Sequence, residues 1–129
     1  MTVDFYLSPH GARIMFVLQS SDDRDHLRDL FLDLAHRRVS EYSLEDAIWA
    51  EFSTNCPPIT LKFVTKEVSA QIQCEKTDDR ARAFCWSRHE EGWLECAEKI
   101  DAFTAPGHQY MGSGEAEVEV SFLEYLSRR

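Results

Sequence analysis

The sequence predicts one α+β domain in which a mostly antiparallel sheet of about six or seven strands carries two main helices, in the order ββα, βββ, α, ββ. Three observations predict it. Apolar residues recur at helical spacing in two places, over Leu27, Leu30, Phe31, Leu34 and Ala35, and over Trp93, Ala97, Ile100 and Phe103. Several short runs alternate apolar and polar residues, the pattern of a half-buried strand. Strands mostly follow strands, so no βαβ series exists to build a doubly wound parallel sheet. The length of 129 residues fits a single domain.

Val3, Phe5 and Leu7 share one face of a first strand, and Ser8-Pro9-His10-Gly11 turns the chain. Arg13 to Gln19 is apolar on both faces and predicts a central strand. Ser20-Ser21-Asp22-Asp23 caps a helix that runs to about Arg38, with acids at the positive end of its dipole and His36, Arg37 and Arg38 at the other. Residues 39–56 admit two readings: a short strand over Val39 to Tyr42, or a short helix capped at Ser43. Cys56-Pro57-Pro58 then breaks any regular element.

A meander follows. Ile59, Leu61 and Phe63 alternate with polar residues, Thr65-Lys66-Glu67 turns, and Val68, Ala70, Ile72 and Cys74 alternate again. Glu75 to Asp79 is a polar loop, and Arg80 to Trp86 a third strand. Ser87-Arg88-His89-Glu90 matches a capping box for a helix through about Phe103, stopped by Pro106-Gly107. His108 to Met111 is a short strand, Gly112-Ser113-Gly114 a turn, and Glu115 to Phe122 a last strand. That strand has Ala116, Val118, Val120 and Phe122 inward and Glu117 and Glu119 outward.

The formal net charge is −9. Residues 89–127 hold Glu90, Glu91, Glu95, Glu98, Asp101, Glu115, Glu117, Glu119 and Glu124 against one base, Lys99. Such a surface repels phosphate backbones and anionic lipid, which argues against nucleic acid and membranes as partners and for a basic protein. The longest apolar run, Ile14 to Leu18, is far below the length of about 20 that spans a bilayer. The start lacks the basic region of a signal peptide, so a cytoplasmic chain with four reduced thiols is expected.

No motif carries an activity. Cys74, Cys85, His89, Cys96 and His108 include no closely spaced ligand pair, so no metal or other cofactor is expected. Pro106-Gly107-His108-Gln109-Tyr110 sets three polar-capable side chains directly after a helix stop, where binding residues often lie. Trp49, Trp86 and Trp93 each neighbour acids, and a tryptophan with a carboxylate rim suits a protein-binding hot spot as well as a core edge.

The leading expectation is a non-enzymatic module that covers a basic partner in the manner of an immunity or inhibitor protein. Its candidate binding residues are His108, Gln109, Tyr110, Trp93, Glu90 and Glu91. The alternative is a small enzyme or ligand-binding protein using His108 and Tyr110 with His89 and Cys85. A third reading has the last strand pairing edge to edge in a homodimer.

The stretch Trp93…Ile100…Gly107-His108-Gln109-Tyr110-Met111…Val118-Glu119-Val120-Ser121…Glu124-Tyr125 resembles the C-terminal portion of small uncharacterised bacterial proteins. Their pattern is Gly-His-Gln-Tyr-Leu, an alternating strand, then Ser-x-x-Glu-Tyr, with methionine here in place of the leucine. The resemblance covers about a quarter of the chain. It implies a bacterial cytosolic origin and carries no activity.

Overall fold

The computed structural model describes residues 1–76 and 82–123. Glu75 and Lys76, expected in a polar loop, belong instead to a strand, and the rest of that loop, the start of the expected strand at Arg80, and Glu124 and Tyr125 lie outside these residues. The chain is α+β, with two α-helices and nine strands among the described residues. Strands β1 (Thr2–Ser8) and β2 (Gly11–Leu18) precede α1 (Ser21–Ala35). Short strands β3 (Glu41–Ser43) and β4 (Glu51–Phe52) flank a 3-10 turn at Leu44–Asp46. Then come β5 (Ile59–Phe63), β6 (Ile72–Lys76), β7 (Arg82–Arg88), α2 (Glu90–Asp101), β8 (Gly107–Gly112) and β9 (Ala116–Phe122).

The strands divide between two mixed sheets instead of forming one layer. One has the order β4-β1-β2-β9-β8 and the other β3-β5-β7-β6. Pairs β1–β4, β2–β9 and β5–β7 are parallel, and the remaining pairs antiparallel. Alternation fixes which side chains share a face but not which strand lies alongside, so the expected meander is corrected here. β7 lies between β5 and β6 because it presents Phe84 and Trp86 to the core and takes the central, best-covered position. Residues 64–71 cross over its end, and the expected alternation from Val68 becomes a strand only at Ile72.

The inner faces of the sheets meet through aromatic side chains. Phe5 lies 5.4 Å from Phe84 and Phe16 lies 6.2 Å from Trp86, centroid to centroid. The helices pack side by side and add Phe31 and Trp93, which stack at 5.5 Å, with Trp93 5.0 Å from Trp86. Both tryptophans are fully buried, as is the expected α1 stripe of Leu27, Leu30, Phe31, Leu34 and Ala35. Removing such an aromatic from a closed core costs about 3–5 kcal/mol, so this cluster holds sheets and helices together.

Helix ends depart slightly from the sequence pattern. Ser20 caps α1 as expected, its side chain accepting from the Asp23 amide. The helix ends at Ala35, short of Arg38, in a Schellman arrangement. The amide of Arg38 donates to Asp33 O at 2.9 Å and that of Arg37 to Leu34 O at 3.2 Å. Arg37 takes the left-handed conformation this requires, with φ of 59°. The expected capping box at Ser87 does not form. β7 pairs through Arg88, so α2 starts later and His89 caps it, Nδ1 accepting from the Gly92 amide at 3.1 Å.

Two glycines let segments close on one another. At Gly92 a β-carbon would lie 2.6 Å from Arg88 Nε and 2.8 Å from Glu67 Oε2. Its absence lets the Arg88–Glu67 ion pair of 2.8 Å tie the 64–71 crossing to the end of β7, directly against the first turn of α2. At Gly114, φ of 154° and a would-be β-carbon 2.4 Å from Ile72 O allow the β8–β9 turn to bridge onto β6, joining the two sheets. No described helix is long and apolar enough to cross a membrane.

Candidate functional site

The expected binding residues do not form one site. His108 and Tyr110 point from β8 to the outer face of the five-stranded sheet, their rings 6.2 Å apart and perpendicular. Arg13 of β2 reaches across that face, its guanidinium 5.3 Å from the Tyr110 ring centre and 3.4 Å from the hydroxyl. It pairs with Glu119 at 3.1 Å and Glu117 at 3.3 Å. Glu119, expected to face solvent, is buried under this cover. Gln109 is exposed opposite Val120, and Glu90 and Glu91 are exposed in the first turn of α2.

Trp93 is a core residue with no exposed surface, its indole N–H donating to Lys62 O at 3.2 Å. Its place in the expected binding set is corrected, because the helical spacing that buries Ala97 and Ile100 buries Trp93 as well.

The residues of the enzymatic alternative lie apart. Cys85 sits on β7 with its thiol 3.6 Å from Ser87 Oγ, and His89 is held between Gly92 and Glu67 at the start of α2. His108 and Tyr110 belong to the other sheet. Burial pushes the Cys96 thiol up to about 11, against a smaller opposing pull from Arg88, and the Cys56 thiol up to about 12. These two thiols stay protonated near neutral pH and are poor nucleophiles. Among the described residues no three His, Cys, Asp or Glu side chains gather as a metal site would need. β9 lies between β2 and β8, so it has no free edge for a second copy.

A cleft of about 420 Å³ lies where β8 meets α2 and the 64–71 crossing, lined by Tyr110, Arg88, Lys99, Glu95, Glu117 and Gln71 among others. Its charges are already paired within the fold: Lys99 with Glu95, Arg88 with Glu67, and Glu117 with Arg13. Lys99 and Arg88 also donate to the carbonyls of Tyr110 and Met111, which closes part of the β8 edge to strand pairing.

A second cleft, of about 240 Å³, differs in its aromatic lining, although its two acids are also paired, Asp29 with Arg28 and Asp33 with Arg38. It lies between α1 and the segment left open in the sequence pattern, and His26, Asp29, Leu30, Asp33, Val39, Tyr42 and Trp49 line it. His26, Asp29 and Asp33 recur at helical spacing on α1 beside its buried stripe. Trp49 is half-buried and stacks on His26 at 5.4 Å. The segment is held from below: the N-terminal ammonium of Met1 donates to Trp49 O at 3.0 Å and pairs with Asp23 at 2.9 Å.

Beside Trp49, Ile48 is fully exposed. Glu41, Glu45, Asp46 and Glu51 are exposed on the same segment and form no ion pair among the described residues. Residues 39–61 contain no lysine or arginine. That base-free stretch, with an Ile-Trp pair inside it, is the sequence signal for this site, and it is weaker than the larger acid count of residues 89–127. No family model matches the sequence, and no match was found among curated proteins or among solved structures.

Proposed function

We propose that this protein is a non-enzymatic binding module that docks a basic segment of another protein onto the loop of residues 41–51. The observation that carries the reading is the pairing of a fully exposed Ile48 and a half-buried Trp49 with four exposed acids that form no ion pair among the described residues. An apolar anchor inside a charged rim is how many protein interfaces divide affinity from steering. A net charge of −9 adds long-range attraction for a cationic partner and repels nucleic acid and anionic lipid. The reading takes the chain as cytosolic, where its four cysteines stay reduced, and as bacterial on the resemblance of its C-terminal stretch.

The test is titration with hexalysine and hexa-arginine peptides, followed by amide chemical shifts at about 20 and about 200 mM salt. Binding is expected at the lower salt with shifts concentrated in residues 41–51, weakening about tenfold at the higher. No binding of either peptide at either salt, or shifts confined to the His108–Tyr110 face, would overturn the reading.

A further inference from the structure

Resting on that reading, we infer that the cleft between α1 and the 41–51 loop is the pocket for a single arginine side chain of the basic partner. The geometry suits a guanidinium in three respects. Asp29 and Asp33 lie one helical turn apart on the same wall, a spacing that suits a forked donor. The ion pairs of both carboxylates run through Oδ1, Asp29 with Arg28 at 3.2 Å and Asp33 with Arg38 at 2.6 Å, and among the described residues no hydrogen bond or ion pair is recorded at either Oδ2. Tyr42 and Trp49 supply aromatic surface to the cleft, Trp49 with one ring face already stacked on His26, and a planar cation suits such a lining.

This fold already uses that contact elsewhere. Arg37 lies over the Phe63 ring at 4.6 Å and Arg13 over Tyr110 at 5.3 Å. The bases already paired there are ones a ligand competes with: Arg38 is 57% exposed, and Arg28 divides its contacts among Asp25, Asp29 and Asp101. The exposed acids of the loop steer the cation inward, and Ile48 lies where the partner backbone would cross the rim.

The experiment compares hexa-arginine with hexalysine on the wild-type chain, following the indole N–H signals by NMR. Trp86 and Trp93 are fully buried, so they serve as internal references for Trp49. Hexa-arginine is expected to bind about fivefold or more tightly than hexalysine and to shift the Trp49 indole alone. Asp33→Asn, which keeps the side-chain shape, and Trp49→Ala are each expected to weaken hexa-arginine about fivefold or more. Glu75→Gln, which removes the same charge from β6, should weaken it less than about twofold.

If the peptides bind but D33N and W49A behave like E75Q, or if lysine is preferred, the arginine pocket is wrong while the wider docking reading stands. If neither peptide binds the wild type, both fall.

Discussion

Two acidic stretches of this chain differ in what the fold does with their charge. Residues 89–127 look the more acidic in sequence, yet the fold supplies several of their counter-ions. Arg13 comes from β2 to Glu117 and Glu119, Arg28 comes from α1 to Asp101, and Lys99 pairs with Glu95 one turn away. Residues 41–51 carry fewer acids, and none of Glu41, Glu45, Asp46 and Glu51 has an ion pair among the described residues. Glu90, Glu91 and Glu98 are exposed and also form no ion pair among the described residues. The loop is set apart by the exposed Ile48 and half-buried Trp49 that stand among its acids, so charge counted along a sequence does not by itself locate a docking surface.

The strongest way to break this contrast is to remove the counter-ion. Arg13→Ala strands Glu119, whose side chain is only 11% exposed, together with Glu117. Urea denaturation should show a clear fall in the unfolding midpoint. An unchanged midpoint would mean that the cluster is a solvated surface pair.

The next effect concerns a group that burial keeps neutral. The Cys96 thiol stands at about 11 in the folded chain, above its ordinary 9.0. The folded state then holds a proton that the unfolded state releases. The resulting stabilisation is fully present below pH 9 and is lost as pH rises towards 11. Its size is on the order of 2 kcal/mol. Cys96→Ala should flatten the fall in stability over that interval, measured by denaturation at a series of pH values. An unchanged slope would assign the fall to other groups.

A smaller effect tests the tie between the end of β7 and the crossing segment. Replacing a helical glycine by alanine ordinarily gains about 1 kcal/mol. Gly92→Ala should instead lose about 1 kcal/mol or more, because the new methyl displaces Arg88 and Glu67. Thermal denaturation of the variant gives the sign directly. In the loop the expected change is smallest: Glu45→Gln or Ile48→Ser should alter stability by less than about 0.5 kcal/mol, since nothing in the fold depends on either side chain.

Much of the fold was legible because burial imposes a period. Leu27 to Ala35 and Trp93 to Ile100 could be buried together only as helices, and Ala116 to Phe122 only as a strand. Strand partners were not legible, since Ile59, Leu61 and Phe63 alternate identically whether they lie beside β6 or β7. The ends of elements shifted where pairing competed with capping, as at Ser87 and His89.

Residues 39–56 were opaque for a related reason. β3 and β4 are too short to show a period and exist by pairing with β5 and β1. The candidate cleft inherited that opacity. His26, Asp29 and Asp33 read only as the solvent face of α1, and Tyr42 and Trp49 meet them through the fold.

The account rests on the acids that stand beside Ile48 and Trp49 in the 41–51 loop, and one comparison of affinities tests it most directly. The triple variant Glu45→Gln, Asp46→Asn, Glu51→Gln and the triple variant Glu90→Gln, Glu91→Gln, Glu98→Gln remove equal charge from the two stretches. Measured by calorimetry against hexa-arginine at low salt, the loop variant should lose about tenfold or more and the α2 variant less than about threefold. Equal losses, or the larger loss in the α2 variant, would contradict it.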